Sequence, residues 1–156
     1  MNDIVLLFGR VAIASVFIPA GFSKLTNLAG FAASLEGRGV PMSSILAPLG
    51  AGIELFGAIA VLLGIHVRLA AVLMIVFTIA ATLIGHRFWE FEAAARQTQK
   101  GQFLKNLGLI GGFLFLVANG GGRYCIDRLW RGSSERRAAQ AGRRTTDRSL
   151  TGYAGR

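Results

Sequence analysis

Four apolar runs fill most of this chain, and three of them hold one ionisable residue each. They cover residues 4–22 with Arg10, 45–65 with Glu54, 69–85 with none, and 103–118 with Lys105. A helix that crosses a bilayer needs roughly 20 apolar residues, and a lone charge at its centre costs about 2.5–3.5 kcal/mol on insertion scales. A chain that keeps an arginine, a glutamate and a lysine in such places is expected to pair them or to use them. The pattern therefore predicts an all-α polytopic membrane protein, a four-transmembrane-helix bundle whose polar centre is the place to look for function.

The remaining composition fits that frame. With 156 residues there is room for one membrane domain, residues 1–122, and a basic tail, residues 123–156, low in large apolar groups and expected to be disordered on the cytoplasmic side. Asp3 and the lack of any Lys or Arg before the first run speak against a secretory signal, so that run is expected to remain as a span. The net charge of +9 suggests nucleic acid at first sight, but nine of the 17 basic residues follow Asn119. A basic block after a last span is a topology signal and an anionic-lipid contact, and no nucleic-acid partner is expected. Counting Lys and Arg outside the spans gives ten on the side of the termini and five in the longer loops. Both termini are thus expected in the cytoplasm, in a bacterial inner membrane.

Local signals divide the chain further. Pro19 is expected to bend the end of the first span. Asn27 is placed to cap a short interfacial helix, Leu28–Glu36, whose Leu28, Phe31, Ala32 and Leu35 share one face, with Gly37 as its stop. Pro48 suits the first turn of the second span. A link of a few residues around His66 makes the second and third spans adjacent and antiparallel. Phe88, Trp89 and Phe91 form one expected aromatic belt, and Tyr124 and Trp130 the other. The lone Cys125 supports neither an internal disulfide nor a two-cysteine redox motif.

Helical spacing sorts the polar residues into faces. Arg10, Ala14, Phe17, Gly21 and Lys24 follow one stripe of the first helix, and Thr78, Thr82 and His86 one stripe of the third. Glu54 continues into Gly57, Ala58 and Val61, and Lys105 into Gly108, Leu109 and Gly112. Small residues mark close helix contacts in membranes, so both charges are expected to point inward, within salt-bridge or one-water distance of each other. The helical rise puts Glu54 roughly 9–13 Å below the outer end of its helix, and Arg10 about 9 Å in from the other side. The third-helix threonines are expected to bond back to their own helix. Lys24, Glu54, His86, Lys105 and Asn106 then form a candidate ligand site in the outer half, with Arg10 a buried charge elsewhere. No catalytic residue can be assigned. His66 and His86 fall at opposite faces, which excludes a haem held by both. Too few Cys and His remain for a zinc or iron–sulfur site, so no metal is expected. Three readings stay open: a pocket for a small molecule such as a quinone headgroup, charges that only lock the bundle, and a proton or ion path. The partners foreseen are membrane lipids, other membrane subunits or a second copy of the chain.

The segment Phe17-Ile18-Pro19-Ala20-Gly21-Phe22-Ser23-Lys24-Leu25 resembles the signature of the DoxX/DoxD family of small bacterial membrane proteins. The likeness continues through Asn27-Leu28-Ala29-Gly30-Phe31, Glu54-Leu55-Phe56-Gly57, Leu63-Gly64, Arg68-Leu69-Ala70-Ala71, His86-Arg87-Phe88-Trp89 and Phe103-Leu104-Lys105-Asn106-Leu107. It implies a four-helix membrane bundle associated with redox complexes, including quinone-linked ones, in which the chain is a subunit rather than an enzyme by itself. It carries over no catalytic set.

Overall fold

A computed structural model describes residues 3–128; the tail beyond Arg128, with Trp130, lies outside the described residues. Every described element is helical: α1 (Asp3–Thr26), α2 (Leu28–Glu36), α3 (Ser43–Leu63), α4 (Val67–Gly85) and α5 (Ala93–Asn119), with one 3₁₀ turn at Phe88–Glu90. Four of the helices are long and apolar enough to cross a membrane, and α2 is the short piece between the first two. The bundle is a chain of neighbours. α1 packs on α3, α3 on α4 and α4 on α5, while α2 lies beside the N-terminal half of α3.

Helix ends differ from the apolar runs where polar helix formers take over. α5 begins ten residues earlier than the apolar run predicts, because the stretch from Ala93 is rich in Ala, Arg, Gln and Lys, which favour helix without favouring lipid. α1 continues past Pro19 to Thr26, whose hydroxyl donates to the Phe22 and Ser23 carbonyls. Pro48 falls in the second turn of α3, not the first, since that helix starts at Ser43. α2 has the predicted ends. The Asn27 side chain accepts from the Gly30 N–H at 3.1 Å, and Leu28, Phe31, Ala32 and Leu35 are its half-buried positions.

The core is a layer of Phe17, Val61, Met74 and Phe113, drawn from all four long helices, with Phe17 and Phe113 rings 5.6 Å apart. Above and below it lie two separate polar levels. At the end of the bundle that holds the termini, Arg10 is 0% exposed, and its guanidinium donates to the Tyr124 carbonyl while Nε and Nη1 find no acceptor. Residues 120–128 fold over this end as a strap. The Asp3 carboxylate accepts the Arg123 N–H at 2.9 Å, and the Asp127 carboxylate accepts the His66 N–H at 2.6 Å. Both ends of the described chain therefore lie on one face. Residues 123–128, assigned from the sequence to a disordered tail, are part of the bundle. Gly64 makes the closure possible: its φ is +77°, and a Cβ there would run into Arg10 and Cys125.

Candidate functional site

The second polar level lies near the opposite end and is set by one close helix contact. Gly21 has no side chain where α1 crosses α3, and a Cβ there would meet the Leu55 backbone nitrogen at 2.8 Å. One turn further along α1, Lys24 reaches the adjacent Glu54, and the two form a direct ion pair. Glu54 is 4% exposed, whereas the Lys24 side chain keeps 32% of its surface open. The ammonium also stands 5.3 Å from the centre of the Phe31 ring, a cation–π contact supplied by α2. The partner of Glu54 is thus Lys24 and not Lys105.

Lys105 departs from its expected place. The buried positions of α5 are Asn106, Phe113 and Leu116, one residue round from the stripe that starts at Lys105, and Lys105 itself is exposed. Two interactions select this face: the Phe113 ring fills the core, and Asn106 Nδ2 donates to Thr82 Oγ1 at 2.8 Å. The Thr82 hydroxyl passes the bond to the Thr78 carbonyl, and Thr78 in turn to Met74, each at 2.6 Å, as expected of threonines in a membrane helix. Of the two glycines read as a contact stripe, one meets a neighbouring helix and one does not. Gly108 has nothing within 4 Å of where a Cβ would stand, whereas at Gly112 a Cβ would meet Ile13 Cδ1 of α1 at 3.0 Å. Among the described residues, Lys105 makes no ion pair.

All five candidate residues nevertheless border one space. Lys24, Glu54, His86, Lys105 and Asn106 line a partly open pocket of about 130 Å³, together with Phe17 and Thr78. His86 Nδ1 lies 2.8 Å from Gln99 Oε1, a geometry in which the tautomer protonated on Nδ1 donates to the amide oxygen and leaves Nε2 as an acceptor. The cavity therefore offers donors, on Lys105 and the second N–H of Asn106, beside acceptors, on His86 and Glu54. Four of its lining residues, Lys24, Phe77, Ala81 and His86, also line a larger cavity of about 530 Å³ between α2, α3 and α4. That second space is mainly apolar and borders the membrane-facing side, where Leu49, Leu73 and Val76 are exposed. At its outer rim Arg38 Nη1 donates to the Gly85 carbonyl at 2.6 Å, joining the loop after α2 to the end of α4.

Gln99, Arg38 and Phe31 are absent from the sequence-based set. Gln99 sits in a polar stretch that hydropathy assigns to a loop, and Arg38 bonds a backbone carbonyl, which has no residue signature. Arg10 does not join the site: it belongs to the strap, on the far side of the Phe17–Met74–Phe113 layer. At that end burial pushes the Cys125 thiol above its ordinary pKa, against the opposing charge of Arg10. Among the described residues no group of three or more His, Cys, Asp or Glu side chains converges as metal ligands do.

The profile of the DoxX family matches residues 5–87, which run from α1 through Lys24, Glu54 and His86. Inner membrane protein YphA of Escherichia coli (strain K12) is 33% identical over 127 residues, covering 81% of this chain and 91% of its own. Inner membrane protein YqjF of the same organism is 34% identical over 129 residues, covering 83% and 94%. No solved structure matches the chain.

Proposed function

Because the chain belongs to the DoxX family, we propose that it is an inner-membrane subunit of a redox complex, with both termini cytoplasmic, that holds a quinone in its outer half. The observation that carries this reading is the shared wall of the two cavities. A polar chamber with donors and acceptors opens beside an apolar one facing the bilayer, the general form of a site for an amphiphile. Quinone carbonyls would accept from Lys105 and Asn106. The hydroxyls of the reduced form would donate to His86 Nε2 and Glu54. Both oxidation states thus find partners without rearrangement of the helices.

Gentle extraction should retain quinone in the protein, and His86→Ala or Lys105→Met should release it while the helical content is kept. Absence of quinone from the native extract, together with no thermal shift on adding quinone analogues, would overturn the reading. One feature favours a second, structural reading: the Lys24–Glu54 pair already neutralises the buried carboxylate and ties α1 to α3. In that case Glu54→Gln weakens the bundle but leaves assembly with any partner subunit unchanged.

A further inference from the structure

Two amide side chains join α5 to α4, and they differ in what fixes them. Half-buried Gln99 precedes buried Asn106 and Phe113 at seven-residue spacing along the inward side of α5. The two amides meet α4 and its C-terminal cap. Asn106 Nδ2 donates to Thr82 Oγ1 at 2.8 Å, and Gln99 Oε1 lies 2.8 Å from Nδ1 of the cap residue His86. The first bond has one sense only. Thr82 donates its single proton to the Thr78 carbonyl, so its oxygen must accept from Asn106.

The second bond has no such lock. A carboxylate or a backbone carbonyl beside a histidine can only accept, which holds the proton on the near ring nitrogen and fixes what the far one offers. Here the buried acid of the site, Glu54, is taken by Lys24, and the partner of the ring is a primary amide. An amide has an acceptor end and a donor end of nearly the same size. With the oxygen toward the ring, His86 Nδ1 carries the proton and Nε2 is an acceptor. With the amide turned over, its NH₂ donates to Nδ1, and the proton sits on His86 Nε2, which becomes a donor. Both arrangements are neutral and keep one bond between the same two side chains. Among the described residues no other hydrogen bond holds the Gln99 amide in either sense.

We infer that Gln99 is a positioning residue that lets His86 reverse its hydrogen-bond sense, so that one imidazole serves both forms of a ligand that interconverts carbonyl and hydroxyl groups. The inference rests on the ligand reading above and adds the residue that adapts the site to the oxidation state. His86 borders both the polar pocket and the apolar cavity. A ligand carbonyl needs the Nε2 proton, a ligand hydroxyl needs the Nε2 lone pair, and turning the amide supplies either while α4 and α5 stay in place.

The test uses the full chain in lipid nanodiscs with isotope-labelled histidine, His66→Asn serving to assign the His86 signals. The probes are tetramethyl-benzoquinone and its hydroquinone, fully substituted so that neither adds to a thiol or an amine, and the hydroquinone is kept free of oxygen. Nitrogen resonances should show His86 protonated on Nδ1 with the hydroquinone, on Nε2 with the quinone, and as an exchanging mixture in the free chain. Gln99→Glu has the same shape but accepts only. At a pH where the spectrum shows a neutral ring, it should hold the Nδ1-protonated form with either probe. It should also weaken the quinone about fivefold, the equivalent of one neutral hydrogen bond, and not weaken the hydroquinone. The same tautomer with both probes in the native chain, or equal weakening of both probes by Gln99→Glu, would overturn the inference while leaving the ligand site in place. If neither probe binds, the ligand reading falls and the free chain decides: a mixture of tautomers supports the reversible histidine, and a single tautomer overturns it.

Discussion

Removing either partner of the Lys24–Glu54 pair should destabilise the bundle, but by unequal amounts, and the inequality follows from exposure. Lys24→Met leaves Glu54, 4% exposed, as a buried carboxylate without a counter-ion. Breaking a buried pair in that way costs about 3–5 kcal/mol. Glu54→Gln leaves Lys24, whose side chain is one-third open and still faces Phe31 at 5.3 Å. It loses one charge-assisted hydrogen bond, about 1.5–3 kcal/mol. The double variant removes both charges and should cost less than the sum, with a coupling of about 2 kcal/mol or more. The measurement is a double-mutant cycle of reversible unfolding in mixed micelles, with Lys105→Met as the comparison partner for Glu54. Additive losses, a larger cost for Glu54→Gln than for Lys24→Met, or stronger coupling to Lys105 than to Lys24 would refute the argument.

Further outcomes are expected elsewhere in the bundle. Gly21→Leu should weaken the same ion pair from a distance by forcing α1 off α3, and the two effects should be non-additive when combined with Glu54→Gln in the same unfolding assay. Asn106→Leu should cost about 1 kcal/mol through the lost bond to Thr82, read as a lowered thermal midpoint. Cys125 is held as the neutral thiol because burial raises its pKa, so alkylation should be slow at neutral pH and half-maximal above the ordinary thiol range. Since the folded state keeps this proton to higher pH than the unfolded one, the group's contribution to stability is fully present below the unfolded pKa and is lost as pH rises through the raised folded one, and labelling midpoints in native and denatured protein measure the difference. A C-terminal reporter active only in the cytoplasm should be active, and periplasmic activity would invert the orientation.

Apolar length and helical spacing locate the four spans and most buried faces, because lipid and core both act on residue type. Glu54, Gly57, Ala58 and Val61 are buried together as their spacing predicts, as are Arg10, Ala14, Phe17 and Gly21. What spacing cannot resolve is a shift of one residue on a helix apolar nearly all round. On α5 the stripes beginning at Lys105 and Asn106 look equally good in sequence, and a single bond to Thr82 with the bulk of Phe113 decides between them. The choice of Lys24 over Lys105 depends on a helix contact at Gly21, which no local pattern reports. Gln99 is hidden for another reason: it lies on helix that extends beyond the apolar run, where hydropathy carries no signal.

The buried arginine also sets an order of events during synthesis. Arg10 lies in the first span to leave the ribosome, and the carbonyl that accepts its hydrogen bond belongs to Tyr124, 114 residues later. At about 5–20 residues per second the interval is roughly 6–23 s. For that time the first helix must stay in the bilayer with its guanidinium unmatched, held by its own apolar side chains and by reach toward the headgroups. Capture by the Tyr124 carbonyl is then the step that distinguishes a chain with its strap in place from one that stops at its fourth span.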